Sequence, residues 1–263
     1  MPVEIITYLQ FISRAAMVEA RINDIPVVQG QAGETKSSNI PIREYIVPGK
    51  NTLSLEIRGE REEVKLANDN MNALARVADF GEGDWLELDE GRELALLNPN
   101  LGPETKIPFR GEVGFEVASG PSWKWSKAPL LNLDSVRREA DRLLQDMAKE
   151  FARKDAVALL KRVEQRMTED LNAYPAIPLE GRKADFERMI TRERPKWKPV
   201  EFDPENTDYR LVAGGRLLEA RDKNGLPVLR TETLDPSDPL KDPNYVGLKV
   251  LLGKLGGELV VLR

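Results

Sequence analysis

The sequence predicts an α+β protein: an N-terminal antiparallel β-sandwich followed by a helical hairpin and an antiparallel-sheet α+β roll. Three observations carry this. Apolar residues alternate with polar ones up to Asp134, recur every three or four positions from Val136 to Leu171, and alternate again after Arg216. A period of two marks half-buried strands and a period near 3.6 marks amphipathic helices, so each change of period is a change of element type.

In the first stretch Val18, Ala20 and Ile22, then Leu53, Leu55 and Ile57, then Ala73, Ala75 and Val77, then Val113, Phe115 and Val117 place an apolar side chain at every second position. Between them stand Asn23-Asp24-Ile25-Pro26, Pro48-Gly49-Lys50-Asn51, Gly81-Glu82-Gly83-Asp84 and Asp89-Glu90-Gly91-Arg92, residue types that accept positive φ or preset a turn. Short strands punctuated in this way argue for a sandwich over residues 1–125. The stretch from Ile40 to Ile57, with Pro41, Tyr45, Pro48-Gly49, Asn51, Leu53 and Leu55, resembles a strand-turn-strand piece of the jelly-roll domains that accompany many glycoside hydrolases.

Helical spacing begins after Asp134. Val136, Ala140, Leu143, Leu144, Met147 and Phe151 share one helix face, with Asp134 or Ser135 as the N-cap. After a break at Arg153-Lys154-Asp155, Ala156, Leu159, Leu160, Val163, Met167 and Leu171 repeat the pattern, and a shorter helix is predicted from Lys183 to Thr191, before Pro195 and Pro199. Strands then return: Arg216–Ala220 and Leu226–Thr231 flank Asp222-Lys223-Asn224-Gly225, a hairpin signal, and Val246–Leu252 and Glu258–Arg263 flank a turn with Gly253, Gly256 and Gly257. Three helices followed by an antiparallel meander resemble the cystatin-like α+β roll of the SnoaL-like and nuclear-transport-factor-like proteins. That resemblance implies helices on one face of a curved sheet, a pocket or a filled core in the cone between them, and an outer face used for dimers. Both faces of the last strands are apolar, so a second cover is expected, either the sandwich or a partner subunit. The expected domains are 1–130 and 131–263.

Composition excludes more chemistry than it suggests. The chain has no His and no Cys, which removes Ser-His-Asp triads, imidazole bases, thiol nucleophiles, disulfides and thiolate or imidazole metal sites. Carboxylates, Lys, Tyr and hard cations on oxygen ligands remain. Gly247 with Gly253-Lys254 imitates a phosphate loop, but its spacing is too long and Leu255 stands where Ser or Thr must hold magnesium. No cofactor and no metal site is expected. The first residues carry Glu4 and no leader-like run, and no apolar stretch approaches the roughly 18 residues of a membrane span. A cytoplasmic protein without membrane contact is expected, or a periplasmic or secreted one if a leader was removed.

Charge is uneven: 39 Lys and Arg stand against 44 Asp and Glu, and acids crowd the segment Asp79, Glu82, Asp84, Glu87, Asp89, Glu90 and Glu93. Such a rim suits a basic protein partner, whose approach it would steer. Glu82, Asp84, Glu87, Asp89 and Glu90 are therefore the candidate partner-binding residues, together with Trp123 and Trp125. Those two tryptophans would share one side of an extended strand as an anchor or stacking platform, or else plug the junction of the two domains. Asp235-Pro236, Asp238-Pro239 and Asp242-Pro243 read as a rigid loop, and Arg192, Arg194, Lys196 and Lys198 around Trp197 as a solvated connector, so nucleic acid is not an expected partner.

Two functions follow. The first is a non-catalytic binding protein, for instance an immunity-type or accessory protein that masks a basic partner, with a homodimer through the C-terminal sheet as a further expectation. The alternative is a small-molecule-binding or carboxylate-based hydrolytic protein whose pocket lies in the roll and uses Tyr209, Arg210, Arg216 and Glu219.

Overall fold

A computed structural model describes residues 5–58, 65–66, 71–81, 83–102, 104–176, 178–193, 197–233 and 245–263. They divide into two compact units, Met1–Ser122 and Trp123–Arg263.

The alternating stretches of the first unit become β1 (Ile6–Arg14), β2 (Met17–Ile22), β3 (Ile25–Gly30), β4 (Thr35–Pro41), β5 (Gly49–Arg58), β6 (Lys65–Leu66), β7 (Asn72–Phe80), β8 (Arg92–Leu97), β9 (Lys106–Ile107) and β10 (Phe109–Val117). Two four-stranded antiparallel sheets, ordered β4-β1-β7-β8 and β10-β5-β2-β3, enclose one core, and β6 pairs with β9. Leu9 and Phe11 of one sheet meet Ala20, Ile22, Leu53 and Leu55 of the other there, all at most 1% exposed. Each fully buried Leu, Ile or Phe side chain there contributes roughly 1.5–3 kcal/mol. Asn23 and Asp24, at φ 53° and 63°, form the tight turn between β2 and β3. The Asn23 amide donates to Tyr45 O at 2.9 Å and to Asn51 Oδ1 at 2.8 Å, which ties that turn to the start of β5.

In the second unit the helical period becomes α2 (Leu133–Ala152), α3 (Ala156–Ala173) and α4 (Leu179–Thr191), preceded by a single turn, α1 (Lys124–Lys127). The first long helix starts before the expected cap, because Asn132 accepts from Ser135 N at 3.2 Å. Asp155 caps α3 by accepting from Ala158 N at 3.0 Å, and α4 starts at Leu179, directly after Pro178 and earlier than Lys183. The strands are β11 (Trp197–Pro199), β12 (Thr207–Val212), β13 (Leu217–Asp222), β14 (Leu229–Thr233), β15 (Tyr245–Leu248), β16 (Leu251–Leu255) and β17 (Glu258–Val261), in sheets ordered β11-β14-β15 and β12-β13-β16-β17. The apolar faces of the long helices pack on these strands through Leu144, Leu159, Leu218 and Leu252, each fully buried.

Two turns differ from expectation. Asn224-Gly225 closes a hairpin of a single antiparallel bridge, Arg221 with Pro227, in which Gly225 N donates to Asp222 O and Asp222 N to Leu226 O, both at 2.9 Å; beyond it the chain passes from one sheet to the other, β13 pairing with β12 and β16 while β14 pairs with β11 and β15. Gly253 lies inside β16 rather than in the following turn, because a Cβ there would stand 2.6 Å from Leu262 Cδ1 and 2.9 Å from Leu217 Cδ2. Gly256 and Gly257, at φ 61° and 93°, make the turn.

The boundary between the units falls at Ser122, earlier than residue 130, since the segment from Trp123 belongs to the second unit by its bonds. Lys124 N donates to Glu169 Oε1 at 2.6 Å, Leu131 N donates to Gly215 O at 2.8 Å, and Arg216 Nη1 donates to Ala128 O. Leu251 and Leu262, on the far side of the final strands, are 1% and 0% exposed in the single chain, so their apolar character does not by itself require a second copy. No helix among the described residues is long and apolar enough to cross a membrane.

Candidate functional site

The acidic segment is the connection between β7 and β8, held against the sheet by its main chain. Gln10, on β1 and 1% exposed, donates through Nε2 to Leu86 O and to Glu87 O, both at 3.1 Å. Asn39, on β4, donates to Leu86 O at 3.2 Å. Gln10 is oriented in turn by Arg76 Nη1, 2.6 Å from its Oε1, and Arg76 Nε donates to Glu93 Oε2 at 3.0 Å. Glu93 and Asp79 thus serve the scaffold: Asp79 accepts from Thr7 Oγ1 at 2.7 Å and from Arg92 Nη2 at 2.5 Å. Gly91, at φ 73°, closes the loop where a Cβ would meet Asp79 O at 2.8 Å.

Asp84, Glu87, Asp89 and Glu90 are exposed, and Glu82 lies outside the described residues. Asp84 Oδ2 accepts from Gly81 N at 2.6 Å, which stiffens the start of the loop. Among these acids stands the residue that sequence reasoning missed, Trp85, 74% exposed, with Leu88 43% exposed three positions on. The available signal was a tryptophan in a Gly- and Asp-rich connection between two alternating strands, where no period assigns it to a core. Water contact of this extent on an indole is unfavourable, and tryptophan is enriched among the anchors of protein contacts.

Trp123 and Trp125 are buried. They sit at a single helical turn, not on an extended strand, and are 1% and 3% exposed, so neither ring face is open to a partner. The Arg263 guanidinium lies 5.2 Å above the Trp123 ring and its Nη2 is 2.8 Å from Glu169 Oε2, so the indole, the arginine and the glutamate form one buried cluster.

Tyr209, Arg210, Arg216 and Glu219 do not converge on a pocket either. Tyr209 Oη donates to Asp141 Oδ1 at 2.7 Å, and burial followed by that bond pushes its phenol well above the ordinary range. Arg210 and Glu219 are cross-strand neighbours on the opposite face of β12 and β13, where Arg221 Nε donates to Glu219 at 2.6 Å. Arg216 is at the turn, bound to Ala128 O. Alternation explains the separation: consecutive residues 209 and 210 point to opposite sides of one strand.

A cavity of about 490 Å³ does open in the second unit, between α3, α4 and β15. Its walls are Val163, Met167, Phe186, Met189 and Leu248, and charged groups stand around them: Arg166, Arg182 and Lys249, with Asp170 and Asp185. Among the described residues no group of three or more carboxylates is placed to hold a metal ion. Arg194, Lys196 and the three Asp-Pro pairs lie outside the described residues, while Trp197 and Lys198 pair with β14. Comparison of the chain with protein-family models, with curated proteins and with solved structures finds no match, so a functional reading rests on the chemistry of this loop and this cavity.

Proposed function

We propose that this chain is a non-catalytic binding protein that acts through protein-protein contact, with the 81–91 loop as its contact surface and a basic protein as its partner. The observation that carries the reading is Trp85, 74% exposed, on a loop whose described acids Asp84, Glu87, Asp89 and Glu90 point to solvent. The indole supplies the apolar anchor and the carboxylates supply long-range steering and register. The Gln10 and Asn39 bonds to Leu86 O hold the loop in shape before contact, which lowers the ordering cost of binding. Masking of a basic surface by an immunity-type or accessory protein is the class of function that fits.

The test is capture of partners from lysate on immobilised protein, compared with Trp85→Ala and with the triple charge reversal Glu87→Lys, Asp89→Lys, Glu90→Lys. A stoichiometric basic protein that wild type retains at low salt, that moderate salt releases and that both variants lose supports the reading. Equal capture by both variants, or no capture, overturns it.

A further inference from the structure

We infer that the cavity between α3, α4 and β15 is a binding site for a small amphipathic monocarboxylate, a medium-chain aliphatic acid or its aromatic equivalent. The inference is independent of the loop and of the partner proposed for it.

Shape and polarity set the ligand's body. A volume of about 490 Å³ falls in the range of small-molecule sites, roughly 300–1,000 Å³, and is too small for a protein segment of any length. Val163 and Met167 come from α3, Phe186 and Met189 from α4, and Leu248 from β15, so three elements give it apolar walls. Two of these are methionines, whose flexible thioethers adapt to chains of differing shape.

Charge sets the ligand's head group. The two wall carboxylates are each engaged by an arginine from outside the cavity: Asp170 Oδ1 lies 3.6 Å from Arg263 Nη1, and Asp185 Oδ1 lies 3.2 Å from Arg188 Nη2. On the walls three cations, Arg166, Arg182 and Lys249, stand against two carboxylates. Arg166 Nη1 donates to Lys249 O at 3.0 Å, and its Nε is ion-paired with Asp170 Oδ2 at 3.7 Å, as Arg263 is with the other oxygen. A guanidinium carries five N–H donors, so Arg166 keeps donors for a ligand carboxylate in the forked geometry that suits it. Arg182 is oriented by Tyr174 O at 2.8 Å and by the Tyr174 ring 5.7 Å below its guanidinium carbon, which pre-sets its direction at the cavity wall. An ammonium head would meet more like than opposite charge there, and a neutral alcohol would gain little from the excess.

Decanoate and 1-decanol are the matched probes, titrated into the full chain by calorimetry with thermal unfolding in parallel. Decanoate is expected to bind and raise the melting temperature, and decanol to bind at least roughly tenfold more weakly, the difference a charge-assisted pair supplies. Arg166→Gln and Arg182→Gln should each weaken decanoate by roughly tenfold while leaving decanol unchanged. If either variant fails to fold, methionine methyl resonances of the wild-type chain decide the location, since Met167 and Met189 should shift on decanoate addition. Equal affinity for both probes, no binding of decanoate, unchanged decanoate affinity in the folded variants, or shifts confined to other methionines would each overturn the site.

Discussion

Trp85 and Trp123 are the same side chain held in opposite ways, and the contrast separates a contact surface from a structural plug. The loop of Trp85 is fixed through carbonyls, Leu86 O and Glu87 O accepting from buried Gln10, so its indole remains 74% exposed. Trp123 is fixed through its ring, under the Arg263 guanidinium, and is 1% exposed. A segment anchored by its main chain keeps its side chains for a partner. A segment anchored by its side chains has spent them on the fold.

The largest effect that tests this contrast is Trp123→Ala. Removing a buried indole deletes its transfer energy and leaves a cavity, so the second unit should lose about 3–5 kcal/mol in chemical denaturation followed by circular dichroism. A loss below about 1 kcal/mol would mean that the ring does not hold the unit together, and Trp123 would return to the list of contact residues.

Arg263→Met ranks next. Glu169 would then keep Lys124 N as a donor but lose its counter-ion in a site where both residues are at most 5% exposed. Stranding a buried carboxylate costs about 3–5 kcal/mol, whereas exchanging both charged partners for apolar groups is often near neutral. Adding Glu169→Leu to Arg263→Met should therefore recover part of the loss, leaving the cost of the unpaired Lys124 N–H. A double variant worse than the single one would show that the pair stabilises the cluster beyond mutual charge compensation.

Period and turn chemistry made most of the scaffold legible from sequence: the triplets at Val18, Leu53 and Ala73 are core strands, and the two long helices bury most of the residues their spacing named, with Leu143, Leu160 and Leu171 only half-buried. Less legible were strands with mixed faces. β4, Thr-Lys-Ser-Ser-Asn-Ile-Pro, is largely exposed and reveals itself only by pairing with β1. The site was half legible. Acid density marked a solvent-facing loop, since four of its carboxylates are exposed, whereas the exposed tryptophan is Trp85 in that loop and not the pair nearest a helix. Local sequence carries no burial for an isolated aromatic; Trp123 is covered by Arg263, brought to it from the far end of its unit. The cavity was not legible for a related reason: it is made by α3 and α4 against β15, and none of its residues lies on the strands that carry Tyr209 and Glu219.

Tyr209 sharpens the contrast at smaller scale, as a polar side chain taken for a pocket and used for the fold. Tyr209→Phe should cost about 1–2 kcal/mol near neutral pH through the lost bond to Asp141. The pH dependence has a definite sign. Burial and the Asp141 bond hold the native phenol protonated, so its contribution is complete below about pH 10, where the unfolded tyrosine is protonated too. Above that value the unfolded chain releases the proton and the native chain does not, and stability falls as pH rises. The gap between wild type and Tyr209→Phe should narrow from pH 10 upward, and a constant gap would remove the phenol from alkaline unfolding.

The smallest stability effect belongs to Trp85→Ala, and there the informative readout is not stability. An exposed side chain with no fold-holding contact should change unfolding free energy by no more than about 0.5 kcal/mol. The indole's surroundings can be read by ionic quenchers of its fluorescence. Caesium should be concentrated by Asp84, Glu87, Asp89 and Glu90 and iodide repelled, so the component that Trp85→Ala removes should be quenched better by caesium at low salt. Adding salt should bring the two quenchers together as the acids are screened. Trp123 and Trp125, at 1% and 3% exposure, should contribute little to either quenching curve. Iodide quenching equal to caesium at low salt would mean that the acids do not surround the indole, and the steering they are assigned in partner capture would go with them.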